Sequence, residues 1–541
     1  MTRKKKSFYF VAFFAIVLGV LFDYLFYQKP IGVSFFVFNF VLIIFSLVLV
    51  KRFERKVGKM QIFILASILL FSTGILFRSS GFLTFFNYIG SIYLIFFFFS
   101  LFLNRGILSF SFLKYSTLPF LFPLRSFFSS AGFVRENRKT VSSDDKTDSK
   151  KIKSVIRGIM IAFPFLIILF WLLSSADLVF QSYATKYIHI DINFEVVLRF
   201  LKIAVISYFF IGIFSGIMKG KKAEGEEEKT IEERKIIGSI ESSTVLVLVE
   251  LLFLSFIVVQ FFYLFGGKDY VWGIEGYITY AEYAKKGFHE LIFASIISFV
   301  LVFGLDKFGV KETLKEKKIF KILGAVLVLE MLVIIFSAYT RFSVYIDGYG
   351  LTFSRFLVFI FLFWICFAFL NFLYKIFKEK DESFFLLAMF CFSILFWGAI
   401  NIINPDAYIA RKNIERLSQG KHLDSFYLYN LSKDAIPEMV KIFQLDVSEE
   451  TKREAAMGLY WKYPTPPELL CRNLWGSECE RVLFEEKIKY AEQNQKWQSF
   501  NFSRKRAIEA INENMKEIVK YQEKYFNEEK MNQERFERIY R

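Results

Sequence analysis

The apolar residues of this chain come in unbroken runs of roughly 17 to 25, the length a helix needs to cross a bilayer core. They cover 8–27, 31–50, 61–78, 83–103, 156–176, 198–218, 244–265, 289–305, 319–338, 354–374 and 383–403, and charged residues are sparse inside them and dense between them. In lipid, only helices and closed barrels satisfy the backbone, and barrel strands would show short alternating segments. The continuous runs therefore predict about eleven transmembrane helices. Beyond residue 404 the apolar positions thin out and take helical spacing. The predicted fold is all-α, with a polytopic membrane domain over 1–403 and a water-soluble helical domain over 404–541.

Some segments need separate treatment. Met1 to Lys6 is basic and an apolar run follows, as in a signal peptide, but no small-x-small site follows and a second span begins at Ile31. The first run is therefore expected to be a retained helix. Residues 106–133 are apolar but hold Lys114, Pro119, Pro123 and Arg125. A spanning helix tolerates these poorly, so an interfacial or re-entrant segment is expected. Segments 135–152 and 219–236 are polar and read as solvated loops. In the C-terminal domain, Ser432 is placed to cap a helix through Phe443, with Ile436, Met439 and Phe443 on one face, and Ser448 to cap the next, through Trp461. This pair resembles one hairpin of a stacked repeat. Ile508, Ile511, Met515, Ile518 and Tyr525 recur at helical spacing, and the charged residues 527–541 suggest a fraying end.

The formal net charge of +17 raises the question of nucleic acid. The basic residues instead fill alternate inter-helix loops: Arg3 to Lys6, Lys51 to Lys59, 104–155, Lys219 to Lys235, Lys307 to Lys321 and Lys375 to Lys380. This is the positive-inside pattern. It places the N-terminus and the even-numbered gaps in the cytoplasm and, with an odd number of spans, the C-terminal domain outside. If 106–133 spans, every later loop inverts and the basic loops contradict the rule. The expected non-protein partner is the lipid bilayer, with no nucleic acid, because no basic patch with interleaved aromatics appears in a soluble region.

Chemistry is sparse. A Walker loop, a His-Glu-x-x-His helix, a CxxC pair and a nucleophile elbow are all missing from the sequence, and the three histidines, His189, His289 and His422, are scattered. No cofactor and no metal are expected. Cys471 and Cys479 form a disulfide candidate if their domain is extracytoplasmic. Glu250 and Glu330 fall within spans, where an acid marks either a polar helix contact or a proton or cation path.

Motifs occur along nearly the whole chain. They are Asp23-Tyr-Leu-Phe-Tyr-Gln-Lys-Pro-Ile-Gly32, Arg157-Gly158 with Pro164, Leu173 to Phe180, Gln260 to Gly267, and Tyr280-Ala-Glu-Tyr-Ala-Lys-Lys-Gly-Phe288. They continue with Ser337 to Tyr345, Tyr349 to Thr352 with Arg355, Asn404 to Ile414, Leu423-Asp424 with Tyr427-Leu428, and Leu431-Ser-Lys-Asp-Ala-Ile-Pro437. On these the chain resembles an uncharacterised bacterial membrane family, domain of unknown function 4173, related to domain of unknown function 4153. The resemblance implies a bacterial plasma-membrane protein and carries no activity. Most of the motifs fall at the predicted outer ends of helices. That distribution suggests a site at the outer membrane boundary lined by Asp23, Asp177, Tyr280, Glu282, Tyr283, Arg341, Tyr345, Arg355, Asp406 and Arg411. Three function classes stay open: an envelope scaffold or signalling protein whose outer domain binds an envelope protein partner, a transporter, and a membrane-embedded transferase acting on a lipid-linked substrate.

Overall fold

A computed structural model describes residues 3–103, 119–128, 194–219, 235–265, 288–463, 477–493 and 496–540, with the single positions 117 and 173. Ten helices among the described residues are long and apolar enough to cross a membrane. They are α1 (Arg3–Phe26), α2 (Val33–Arg52), α3 (Lys59–Phe77), α4 (Gly81–Leu103), α5 (Phe194–Lys219), α6 (Ser239–Phe265), α7 (Phe288–Phe308), α8 (Leu314–Tyr349), α9 (Phe353–Phe377) and α10 (Glu382–Ile403). Ten of the eleven runs read from the sequence correspond to these helices. The remaining run, 156–176, lies outside the described residues, as do loop 135–152 and nearly all of 219–236. Of 106–133, residues 119–128 are described, and they are helical. The chain is an all-α polytopic membrane protein.

The C-terminal helices are α11 (Pro405–Ser418), α12 (Ser425–Asn430), α13 (Glu449–Trp461), α14 (Ser477–Gln493), α15 (Phe502–Glu513) and α16 (Met515–Tyr540). The helices fall into two compact units. The first holds α1, α2, α3, α5, α4 from Phe82 onward, and residues 496–501. In it α1 lies so close to α5 that a Cβ on Gly19 would sit 2.2 Å from Ser207 Oγ. Asn39 Nδ2 donates to Ser72 Oγ (2.8 Å) between α2 and α3. Segment 496–501 packs against the start of α2 and the end of α3. Val33 N donates to Phe500 O (2.9 Å) and Asn501 Nδ2 to Ile75 O (2.8 Å). Gly32 lies against this segment, where a Cβ would come 2.5 Å from the Ser499 carbonyl carbon.

The second unit holds residues 78–81, α6 to α14, α15 and α16. Its membrane helices enclose one apolar core, in which Leu327, Val328, Met331, Phe369 and Phe372 are almost wholly buried. Its C-terminal helices enclose another, built on Ile409, Leu428, Ile436, Met439, Ala456, Leu459, Ile511 and Ile518. Leu351 and Phe356, from the corner between α8 and α9, belong to this second core, and Ile346 and Phe359 pack against both. The membrane helices and the C-terminal helices of this unit therefore share continuous apolar packing across residue 404.

Local chemistry explains the boundaries. Thr313 and Glu316 form a reciprocal capping box at the start of α8. Ser448 caps α13 through the Thr451 amide. Ser432 caps its segment too, but over 433–444 the chain alternates 3-10 and α turns instead of forming one helix. Pro437 has no N–H to donate to the Lys433 carbonyl, so the preceding turn stays tight. The positions from Ile508 to Tyr525 that recur at helical spacing are helical and are divided at Asn514 between α15 and α16. The break turns Tyr521 into the core and leaves Tyr525 38% exposed. The charged C-terminal residues continue α16 to Tyr540.

Candidate functional site

Helix termini leave carbonyls and amides without intrahelical partners. The α8–α9 corner shows how this chain satisfies them. α8 ends at Gly350, whose φ of +81° only glycine adopts without strain. Thr352 caps the start of α9, its Oγ1 accepting from Arg355 N (3.4 Å). The Arg355 guanidinium turns back across the corner. Nη1 donates to Tyr349 O (3.0 Å) and to Gly350 O, and Nη2 to Tyr345 OH (3.0 Å), with the guanidinium carbon 4.5 Å from the Tyr345 ring centre. From α11, Arg416 Nη2 donates to Asp347 O (2.9 Å) and Gly348 O (3.1 Å), and Lys421 pairs with the Asp347 carboxylate. Asn413 holds both polar groups of the Leu351 backbone, and Phe353 N donates to Tyr427 OH.

A second polar cluster lies at the α10–α11 junction, where Asn404 takes the left-handed conformation and Pro405 opens α11. Asp406 Oδ2 accepts from Ser432 N (3.2 Å). Asp434 Oδ2 accepts from Ser79 N (2.8 Å), Ser80 N (2.9 Å) and Ser432 Oγ (3.2 Å). Both carboxyls are about 4% exposed. Burial pushes the Asp406 carboxyl above the usual carboxylate range, opposed by the Ser432 hydrogen bond and reinforced by the Asp434 charge. Tyr427 senses the charges of both Asp406 and Arg355, and burial raises its phenol.

In the first unit, Asp23 of α1 is paired with Arg199 of α5. Nε and Nη2 both donate to Oδ2, at 2.9 and 2.6 Å. Beside them Tyr27 OH donates to Glu195 Oε1 (2.8 Å).

Of the ten residues expected to line one rim site, Asp177, Tyr280, Glu282 and Tyr283 lie outside the described residues. Tyr345 and Arg355 are brought together. Asp406 and Asp23 sit in the two other clusters, Arg341 is half-buried on α8, and Arg411 is exposed over the Tyr408 ring at 5.6 Å. The sequence reading did not single out Arg199, Asn413, Arg416 or Asp434. Asn413 and Asp434 stood within the quoted motifs, which was the available signal. Cys471 and the Cys479 side chain also lie outside the described residues.

Glu250 of α6 and Glu330 of α8 lie on helices that pack together, and each is over nine-tenths buried. Each has one carboxyl oxygen without a hydrogen-bond partner, and neither forms an ion pair among the described residues. An apolar cleft of about 1300 Å³ opens between α8, α9 and α10, edged by Asp347, Lys412 and Arg416. No group of three or more metal-binding side chains occurs among the described residues.

Most of the described site geometry falls in the part of the chain that matches a known family, described as Domain of unknown function (DUF4153), over residues 65–442. No curated protein and no solved structure matches the chain.

Proposed function

The chain belongs to the family of Domain of unknown function (DUF4153), and from that premise we propose that it is an envelope scaffold or signalling protein, its C-terminal helices forming a binding platform mounted on the membrane helices. The reading takes the nearer kin to be domain of unknown function 4173 and the setting to be a bacterial plasma membrane. The N-terminus lies in the cytoplasm and the platform on the outer side.

The observation that carries it is the shared packing. Leu351 and Phe356 from the α8–α9 corner lie within the C-terminal core, and Ile346 and Phe359 pack against both cores. A domain that only needed tethering would hang from a linker. Joining the two cores at a corner stitched by Arg355, Arg416 and Asn413 instead lets an event on the platform bear on α8 and α9. Tyr345, Arg355, Asp406 and Arg411 belong to that joint in this reading. Exposed aromatics supply contact anchors: Phe426 is 77% and Trp461 73% exposed.

Two measurements test it. A photo-crosslinking residue replacing Phe426 in growing cells is expected to capture one discrete protein, with capture reduced by Trp461→Ala. A membrane-impermeant maleimide is expected to reach a cysteine placed at Lys505 in intact cells. Labelling only after permeabilisation, or crosslinks indifferent to Trp461, would overturn the reading.

Transport is the second reading, favoured by the buried Glu250 and Glu330, since acids held within the membrane often serve proton or cation movement. Reconstituted protein would then show a flux abolished by Glu330→Gln.

A further inference from the structure

A cavity of about 570 Å³ lies against the C-terminal helices, walled by residues 429–433, the end of α13, Ser79 and the first turn of α15. Three cationic side chains line it, Lys433, Lys462 and Arg504, and no carboxylate does among the described residues. Each is placed by the fold. Lys462 Nζ donates to the carbonyl oxygens of Tyr429 and Leu431, which fixes its head at the wall. Lys433 Nζ stands 4.3 Å from the centre of the Tyr463 ring. Arg504 enters from α15, and its charge acts on Lys433, as that of Lys433 acts on Lys462.

Like charges gathered in a half-buried cavity repel one another and lose hydration. Both lysines register this, with burial pushing each down to about 8. The acids Asp406 and Asp434 are engaged by backbone amides. Asp406 attracts Lys462, yet its carboxylate is bound to Ser432 N, and that of Asp434 to Ser79 N and Ser80 N.

We propose that the cavity bounded by Lys433, Lys462 and Arg504 binds a phosphate ester. A phosphate group offers enough acceptor oxygens for three cations at once, and Arg and Lys are its usual partners. The volume exceeds what a bare ion fills and suits an organic phosphate. Phe426 and Trp461 flank the mouth and stand mostly exposed, giving an apolar border beside the charges. That border fits the headgroup of an anionic phospholipid as well as a soluble phosphate ester. The site lies wholly in the second unit and stands whether or not a protein docks there.

The test uses the full-length protein in detergent, titrated with glycerol phosphate or with short-chain phosphatidylglycerol, and affinity read by native mass spectrometry and by the shift in melting temperature. At least one probe is expected to bind. Lys433→Gln is expected to weaken it about tenfold, the worth of one charge-assisted contact, and Lys433→Arg to restore most of it. Binding of phosphatidylglycerol alone assigns the site to a lipid headgroup, binding of glycerol phosphate alone to a soluble ester, and binding of both to the phosphate itself. Arg504→Gln provides a second variant should Lys433→Gln fail to fold. Failure of both probes to bind, or equal affinity in the wild type and in a folded variant, overturns the proposal.

Discussion

Asn413 grips the backbone of Leu351 from both sides: its Nδ2 donates to Leu351 O at 2.7 Å and its Oδ1 accepts from Leu351 N at 2.9 Å. The amide thus stands in for a strand partner at the point where α8 has ended and α9 has not begun. Both residues are buried. Asn413→Ala would leave a buried N–H and C=O without partners, at about 1–3 kcal/mol each. The variant is expected to melt well below the wild type in detergent and to be cut faster between α8 and α9 by protease. Asn413→Asp keeps the acceptor and loses the donor, so it should not rescue.

Gly350, next to Leu351, makes a separate prediction. Its φ of +81° lies where other residues are strained, and a Cβ there would stand 2.5 Å from Arg416 Nη1. Gly350→Ala is expected to cost about 1–3 kcal/mol, visible as a lowered melting temperature. Gly420 has a similar φ of +76° with open space around it, so Gly420→Ala should cost less.

These two residues also show what could be read from the sequence. The spans were legible because lipid demands long uninterrupted apolar runs, and the capping signals at Ser432 and Ser448 were legible because they act within a few residues. The length of α8 was not. Its apolar stretch suggested 319–338, but helix-forming Lys and Glu extend it at one end and the motif residues 339–349 at the other, to Leu314–Tyr349. Arg355 stood out as a charge at a span boundary. Asn413, though inside a motif, and Arg416 were not singled out, because their partners lie more than sixty residues away. Lys433 and Lys462 were not singled out, because no local pattern links them to Arg504. Only the fold places the residues around 433, the end of α13 and Arg504 around one cavity.

The same two lysines set a pH dependence. In the folded protein each lies near 8, against an ordinary 10.5, chiefly through burial. Below about 8 both are charged in the folded and unfolded chain, and the cost of holding those charges together is fully present. Between about 8 and 10.5 the folded state binds fewer protons than the unfolded state, so stability rises with pH. Tyr429 and Tyr463, raised by burial, stay neutral over this window. The melting temperature without added anion is therefore expected to climb between about pH 8 and about pH 10, and less steeply in Lys433→Gln. An identical slope in the variant would contradict the assignment.

Two pairs of charged groups predict opposite responses to neutralisation. Asp23 is joined to Arg199 by two donors, so Asp23→Asn should destabilise by about 1.5–3 kcal/mol. Glu250 and Glu330 are both acids and have no ion partner among the described residues. Glu250→Gln and Glu330→Gln remove a group that is costly in the membrane, so their melting temperatures should equal or exceed that of the wild type. A large loss in either Gln variant would reveal a favourable partner for the acid.

The central claim is that the C-terminal helices are built into the ends of α8 and α9. Hydrogen–deuterium exchange of the full-length protein under rising denaturant tests it most directly. The amides of Leu351 and Phe353, at the corner, should open together with those of α11 and α13, at one common free energy. If α11 and α13 open first and the corner amides stay protected, the C-terminal helices are a separate appendage and the platform reading is wrong.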